Sequence, residues 1–170
     1  MKMSGQQIGG GLALRTAVGR WYPREIWKAV GRREKLRYLV RAFTERRGGH
    51  CFLLYEREVF VGYAIIRETV SQRFLFSRAG DHILAPYVIF PAFRGRGLAQ
   101  KLLAAALAQL GESKVWAYTT QDNAVSMAVL QKAGFVSAGP VHMDKRKRYA
   151  VLPEGGTSPN LLYVYGGKSI

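Results

Sequence analysis

Residues 82–119 set the strongest limit on what this chain can fold into. An apolar run, HILAPYVIF (82–90), leads through PAFRGRG into LAQKLLAAALAQL, and a second apolar run, KVWAYT (114–119), follows. The first run has the composition of a strand covered on both faces. The middle stretch places Leu98, Leu102, Leu103, Ala106 and Leu110 at helical spacing, and Gly111 closes it. Strand, helix and strand at these lengths form a crossover unit, so at least one pair of neighbouring strands is expected to be parallel. Pro86 cannot donate to a ladder, which places a bulge or a gap in pairing inside the first run.

The flanks read as a mixed α/β (α+β) domain around that unit. Residues 11–17 form a short first strand. Residues 23–47 form one or two helices broken near Gly31, with Ile26, Trp27, Val30, Leu36, Leu39, Val40 and Phe43 at roughly helical spacing. Gly48-Gly49 ends that region. Residues 50–56 and 58–68, rich in Phe, Val, Ile and Tyr, form two strands around a tight turn near Arg57. Residues 69–81 are polar and irregular. A second helix, 124–133, is capped by Asp122-Asn123 and stopped by Gly134. Strands at 135–141 and 161–165 complete the set. A length of 170 residues suits one domain spanning 1–170, and 48% hydrophobic content argues against disorder.

Bulk properties narrow the function. Against 26 Lys+Arg stand 11 Asp+Glu, a formal charge of +15. Such a field attracts polyanions: nucleic acid, nucleotides, phosphorylated cofactors or an anionic membrane surface. No apolar run reaches the ~20 residues that span a bilayer. The first residues lack the apolar core of a signal peptide, so the expected location is the cytoplasm. The lone Cys51 sits in an apolar run and reads as a core thiol. No His/Cys/Asp/Glu cluster has metal-ligand spacing, and no metal is expected.

The segment FRGRG joins a strand to a helix. A helix N-terminus offers unpaired N–H groups and a positive dipole end. Glycines adopt positive φ and let amides approach a ligand, and arginines add charge and bidentate donors. The combination suits a phosphate group. Two better-known phosphate turns are excluded. There is no GxxxxGK followed by Ser or Thr, and a GxGxxG turn would need glycine where Gln100 stands.

A second motif lies downstream. After strand 114–119 come Asn123, Ser126, Lys132, Gly134 and Phe135. Together, Arg94-Gly-Arg-Gly97-Leu-Ala99 and this second segment resemble the GNAT N-acetyltransferase superfamily. Its members carry Q/R-x-x-G-x-G/A at a strand-to-helix junction, then N-x-x-A/S and K-x-G-F. The match spans roughly 83–136, with Ile89 at the strand end two residues before Pro91.

The resemblance implies a mostly antiparallel sheet of about six to seven strands flanked by about four helices, with strands 82–90 and 114–119 parallel and splayed. It implies acetyl-CoA as co-substrate. Amides of Gly95, Arg96, Gly97, Leu98, Ala99 and Gln100, beginning at Arg94, would hold the pyrophosphate. Backbone groups of Tyr87, Val88 and Ile89 would contact the pantetheine arm and polarise the thioester. Asn123 and Ser126 would steady the cofactor from the other side. Relatives often place a proton-donating tyrosine seven residues after the asparagine. Here that position is Leu130. Some use a glutamate base where Tyr118 stands. Catalytic candidates are therefore Tyr118 and His82, with Asp81, Tyr149, Tyr163 and Tyr165 also available. Loss of an acid or base is tolerable in principle, since it is worth about 10²–10⁴-fold. The implied acceptor is a primary amine, on a small anionic molecule or on a macromolecule such as a protein or aminoacyl-tRNA. A non-catalytic CoA- or nucleic-acid-binding protein is the further alternative. The basic runs 24–47 and 145–148 would serve nucleic acid, no membrane partner is implied, and the oligomeric state stays open, with a dimer among the options.

Overall fold

The computed structural model describes residues 2–19, 22–33, 35, 49–69, 74–144, 148–152 and 156–166. The later part of the 23–47 helical region, including Leu36, Leu39, Val40 and Phe43, lies outside them, as do Lys145, Arg146 and Lys147. The chain folds into two compact units, one of residues 1–67 with 85–106 and the other of 68–84 with 107–170.

In the first unit, β1 (Lys2–Gly9) and β2 (Leu12–Gly19) form an antiparallel hairpin, and β2 pairs with β3 (Gly49–Glu56). β3 turns through Arg57 and Glu58 into β4 (Val59–Glu68), again antiparallel. Both turn residues have positive φ, 46° and 67°, the hand that matches strand twist in a two-residue hairpin. β5 (His82–Ile89) ends beside β4, where the Phe90 N–H donates to the Val61 carbonyl at 3.0 Å. The helix α1 (Arg24–Ala29) buries Ile26. Ile26 joins Tyr22, Cys51, Leu53, Tyr55, Tyr63 and Ile65 in one core, against which Val88 and Phe90 pack. Burial pushes the Cys51 thiol up to about 12, so Cys51 is an inert core residue.

The second unit contains the parallel pair. His82 lies opposite Val115 and Ile83 opposite Trp116 on β6 (Val115–Thr120). This registered pairing stops short of Pro86, which lacks the N–H to extend it. β6 pairs antiparallel with β9 (Asn160–Tyr165), which pairs with β7 (Val136–Met143), which pairs with β8 (Tyr149–Val151). The helix α2 (Leu98–Leu110) runs from the first unit into the second, and α3 (Ala124–Lys132) lies in the second. The core here gathers Phe74, Ile83, Trp116, Val141 and Leu162.

The fold is thus mixed α/β, mostly antiparallel, with one parallel pair. The described residues contain nine strands rather than six to seven, and three α-helices with a short 3-10 turn at Pro91–Phe93. The extra strands come from the two termini of the sheet pattern. The strand expected at 11–17 is β2, and β1 precedes it as its hairpin partner. The three-residue β8 sits in a stretch too short to show alternation.

Candidate active site

β5 delivers the chain through Phe90 and the Pro91–Phe93 turn to Arg94. Gly95 and Gly97 then take φ of 75° and 71°. An added Cβ would meet nothing within 4 Å at Gly95, and at Gly97 only Gln100 Oε1 at 3.8 Å. Glycine is therefore set by backbone conformation, and the space where a side chain would stand is open. α2 starts at Leu98, whose side chain is buried with Leu102, Leu103, Ala106 and Leu107 as the anchoring stripe. The Lys101 N–H is the first to reach back into the turn, donating to the Gly97 carbonyl at 3.3 Å. The amides of Leu98, Ala99 and Gln100 sit in the first turn, where helical backbone has no acceptor of its own.

The two arginines of this turn are engaged by the protein. Arg94 Nε donates to the Ile89 carbonyl at 3.0 Å. Arg96 makes a bidentate pair with Glu56, Nη1 to Oε2 at 2.9 Å and Nη2 to Oε1 at 2.6 Å. Hydrogen bonding from Arg96 holds the Glu56 carboxyl below its ordinary value, and the same bond raises Arg96. The sequence offered both arginines as phosphate donors. In the structure each is tied to an acceptor of the protein itself, Arg94 to a carbonyl and Arg96 to a carboxylate. Tyr87 and Val88 are half-buried on β5 and Ile89 is buried, so the first unit gathers Tyr87, Val88, Ile89 and Arg94 to Gln100 around one strand end.

The second unit holds the remaining candidates. Asn123 caps α3, its Oδ1 accepting the Ser126 N–H at 3.0 Å. α3 closes in a Schellman motif. The Gly134 N–H donates to the Gln131 carbonyl and the Phe135 N–H to the Leu130 carbonyl, each at 3.0 Å, with Gly134 at φ 90°. The K-x-G-F segment is thus a helix stop whose Phe135 is buried. Leu130 is 1% exposed and belongs to the core.

Tyr118 lies on β6, with its hydroxyl 3.2 Å from that of Tyr149 and ring centroids 5.0 Å apart. Tyr149 stacks in turn on Phe74, at 5.2 Å between centroids. Tyr163 is buried and Tyr165 packs on Phe135. His82 is half-buried, and burial lowers its imidazole below the ordinary value against the opposing pull of Glu68 and Asp81. It is therefore neutral near pH 7. Asp81 accepts from Trp116 Nε1 at 2.8 Å and from the Arg78 N–H at 3.0 Å, which fixes it as a structural acceptor. Because His82 is opposite Val115, Tyr118 lies three residues further along β6, roughly 10 Å away at the rise of a strand. The two candidates are not brought together.

Two partners were not singled out for the site from sequence: Glu56 and the Tyr149 contact. Each pairs across 31 residues or more, beyond any local spacing rule. One weak signal existed for Glu56, since acidic residues are few in this chain and Glu56 and Glu58 flank Arg57. Among the described residues, no group of three or more His/Cys/Asp/Glu could hold a metal ion. Nor is any described helix long and apolar enough to cross a membrane.

The profile of the acetyltransferase (GNAT) family matches residues 17–135. The chain belongs to the GNAT acetyltransferase family. A ribosomal protein bS18-alanine N-acetyltransferase of Haemophilus ducreyi is 29% identical over 103 residues, 59% of this GNAT chain and 61% of the relative. The match therefore spans about three-fifths of that relative's length. Among solved structures, a Bacillus subtilis acetyltransferase in complex with CoA shares the fold at 15% identity and a TM-score of 0.62, covering 91% of this chain and 99% of its own. An aminoglycoside acetyltransferase in complex with coenzyme A and kanamycin does so at 15% identity and a TM-score of 0.53, over 69% and 66%.

Proposed function

We propose that residues 1–170 act as one domain, an acetyl-CoA-dependent N-acetyltransferase whose acceptor is a primary amine. The observation that carries this reading is the Arg94–Gln100 turn. Two glycines at positive φ lead directly into the first turn of α2, and nothing lies closer than 3.8 Å to where their side chains would stand. That is a cradle for a diphosphate such as the one in CoA. The Tyr87–Ile89 strand end, immediately before it, is the place where backbone donors would meet the thioester.

In the reaction the amine nitrogen attacks the thioester carbon, the C–S bond breaks, the nitrogen gives up one proton and the departing thiolate takes one. Positioning supplies much of the rate in such a transfer. Leu130 has no proton to give. The proton traffic then falls to the Tyr118 hydroxyl, next to that of Tyr149, with neutral His82 as the alternative base. Asn123 is committed to capping α3 and would meet the cofactor through what its side chain has left.

The +15 charge favours an acceptor with anionic groups. A small anionic amine is the first reading. The second is a protein amino group or an aminoacyl-tRNA, and the Haemophilus ducreyi relative, named for an alanine of a ribosomal protein, favours it. The test has two stages. Thermal unfolding with CoA at 100 times its Kd should show stabilisation of about 2.7 kcal/mol. Thiol release should then be followed with a panel of small amines, peptides bearing a free N-terminal alanine, and aminoacyl-tRNA at two salt concentrations. No thermal shift with CoA rejects the reading. CoA binding without thiol release from any amine leaves the non-catalytic alternative.

A further inference from the structure

We infer that Glu56 is a positioning residue of the cofactor site, acting on the CoA diphosphate through Arg96. This rests on the acetyl-CoA reading above.

Arg96 lies between the two glycines that give the turn its shape, and half of its side chain is exposed. Left alone, such a side chain would sample many rotamers and would have to be ordered each time a ligand bound. Glu56 removes that freedom. Its carboxylate takes one N–H from each terminal nitrogen, at 2.9 and 2.6 Å, a geometry that fixes both the position and the plane of the guanidinium. The anchor is itself fixed. Glu56 is the last residue of β3, its side chain is 20% exposed, and the Arg57-Glu58 turn that follows is held by the Arg57 N–H on the Gly11 carbonyl at 3.0 Å.

A guanidinium has five N–H groups. The fork to Glu56 uses two, leaving the Nε–H and one on each terminal nitrogen. The remaining Nε edge has the spacing that phosphate oxygens accept. On the other side of Gly95, Arg94 is tied through its Nε–H to the Ile89 carbonyl. The turn is thus pinned at both arginines before any ligand arrives, and its glycine amides are held in register with one oriented cation.

The sign of the effect separates this role from its opposite. A carboxylate beside a diphosphate site repels the ligand, so if charge alone mattered, removing it would strengthen binding. If Glu56 works by orienting Arg96, removing it weakens binding. Exposed charges are screened at ordinary salt, whereas the ordering cost is not.

The experiment is a double-mutant cycle on CoA binding by calorimetry, using the full chain. Glu56→Gln is expected to weaken CoA about three- to tenfold, the weight of ordering one long side chain. Arg96→Gln should weaken it by at least as much, and the double variant no further than Arg96→Gln alone. In turnover assays Glu56→Gln should raise KM for acetyl-CoA and leave kcat within twofold. Unliganded melting temperatures of all variants show whether any loss comes from the fold. Glu56→Asp, which keeps the charge on a shorter arm, should fall between the parent and Glu56→Gln. Binding by Glu56→Gln within twofold of the parent, tighter binding, or strictly additive losses would overturn the inference while leaving the acetyl-CoA reading intact. A parent chain that fails to bind CoA overturns both.

Discussion

Replacing Leu130 by alanine separates stability from chemistry. Leu130 occupies the position where relatives often carry a tyrosine, and here it is 1% exposed on α3. Truncation removes the buried isobutyl group and leaves its carbonyl, which accepts the Ala133 and Phe135 N–H groups, in place. The helix stop therefore survives and the loss is one of packing. A core Leu→Ala change costs about 2–5 kcal/mol. For a chain of this size each kcal/mol lowers Tm by about 2–4 °C, so a fall of about 4–20 °C is expected. The assay is a thermal scan by circular dichroism together with kcat measured at 20 °C under saturating acetyl-CoA, where the variant is still folded. Turnover should stay within about twofold of the parent. A Tm within about 2 °C of the parent would show that Leu130 is not a core residue. A hundredfold fall in kcat at full folding would show that position 130 takes part in the chemistry even without a hydroxyl. Leu130→Tyr meets the same filled space. It should lose about 1–3 kcal/mol to overpacking, so a gain in turnover would require the neighbours to yield.

Gly97→Asp places a side chain on a backbone at φ 71° and a negative charge beside the proposed diphosphate site; CoA affinity should collapse in calorimetry while circular dichroism stays native, and unchanged affinity would remove the turn from the site. Lys2→Asp, a charge change at an exposed residue of β1, is the control and should bind CoA normally. Tyr118→Phe should lower kcat at least tenfold at constant KM, and Tyr149→Phe should lower it less; full activity in both across pH 6 to 9 would exclude the tyrosine pair from proton transfer. His82 has a folded pKa below its unfolded value of 6.5, so the unfolded chain takes up the proton first. Its contribution is fully present above about pH 6.5 and is lost as the pH falls towards the folded pKa. Tm measured from pH 5 to 8 should therefore drop more steeply on the acid side for the parent than for His82→Gln, and parallel curves would refute the assigned shift.

The parts of the fold that were legible are those whose cause is local. The stripe of Leu98, Leu102, Leu103 and Ala106 is set by helical period, and all four are buried. Asn123 before α3 and Gly134 after it are a cap and a stop, each needing only its near neighbours. β1 was not legible, because Lys2–Gly9 is exposed along nearly its whole length and so lacks the alternation that a half-buried strand displays. The strand-to-helix turn of residues 94–99 was legible, and both its glycines take positive φ, but the engagement of its arginines was not. Glu56 stands 40 positions from Arg96, and only the folded sheet makes them neighbours. The same holds for Tyr118 and Tyr149, whose hydroxyls meet across β6 and β8.

The bracing of Arg94 and Arg96 has a consequence for how such a turn can be moved. Copied alone into another strand-helix junction, Arg-Gly-Arg-Gly would arrive with two loose cations and two flexible glycines. Without an acceptor at the position of the Ile89 carbonyl and a carboxylate at that of Glu56, the arginines would fall onto whatever anion lay nearest, the ligand included. The transplant would attract phosphates without shaping them. The portable unit is the six-residue turn plus the end of β3 and the end of β5, a three-part graft that carries the glutamate along with the glycines.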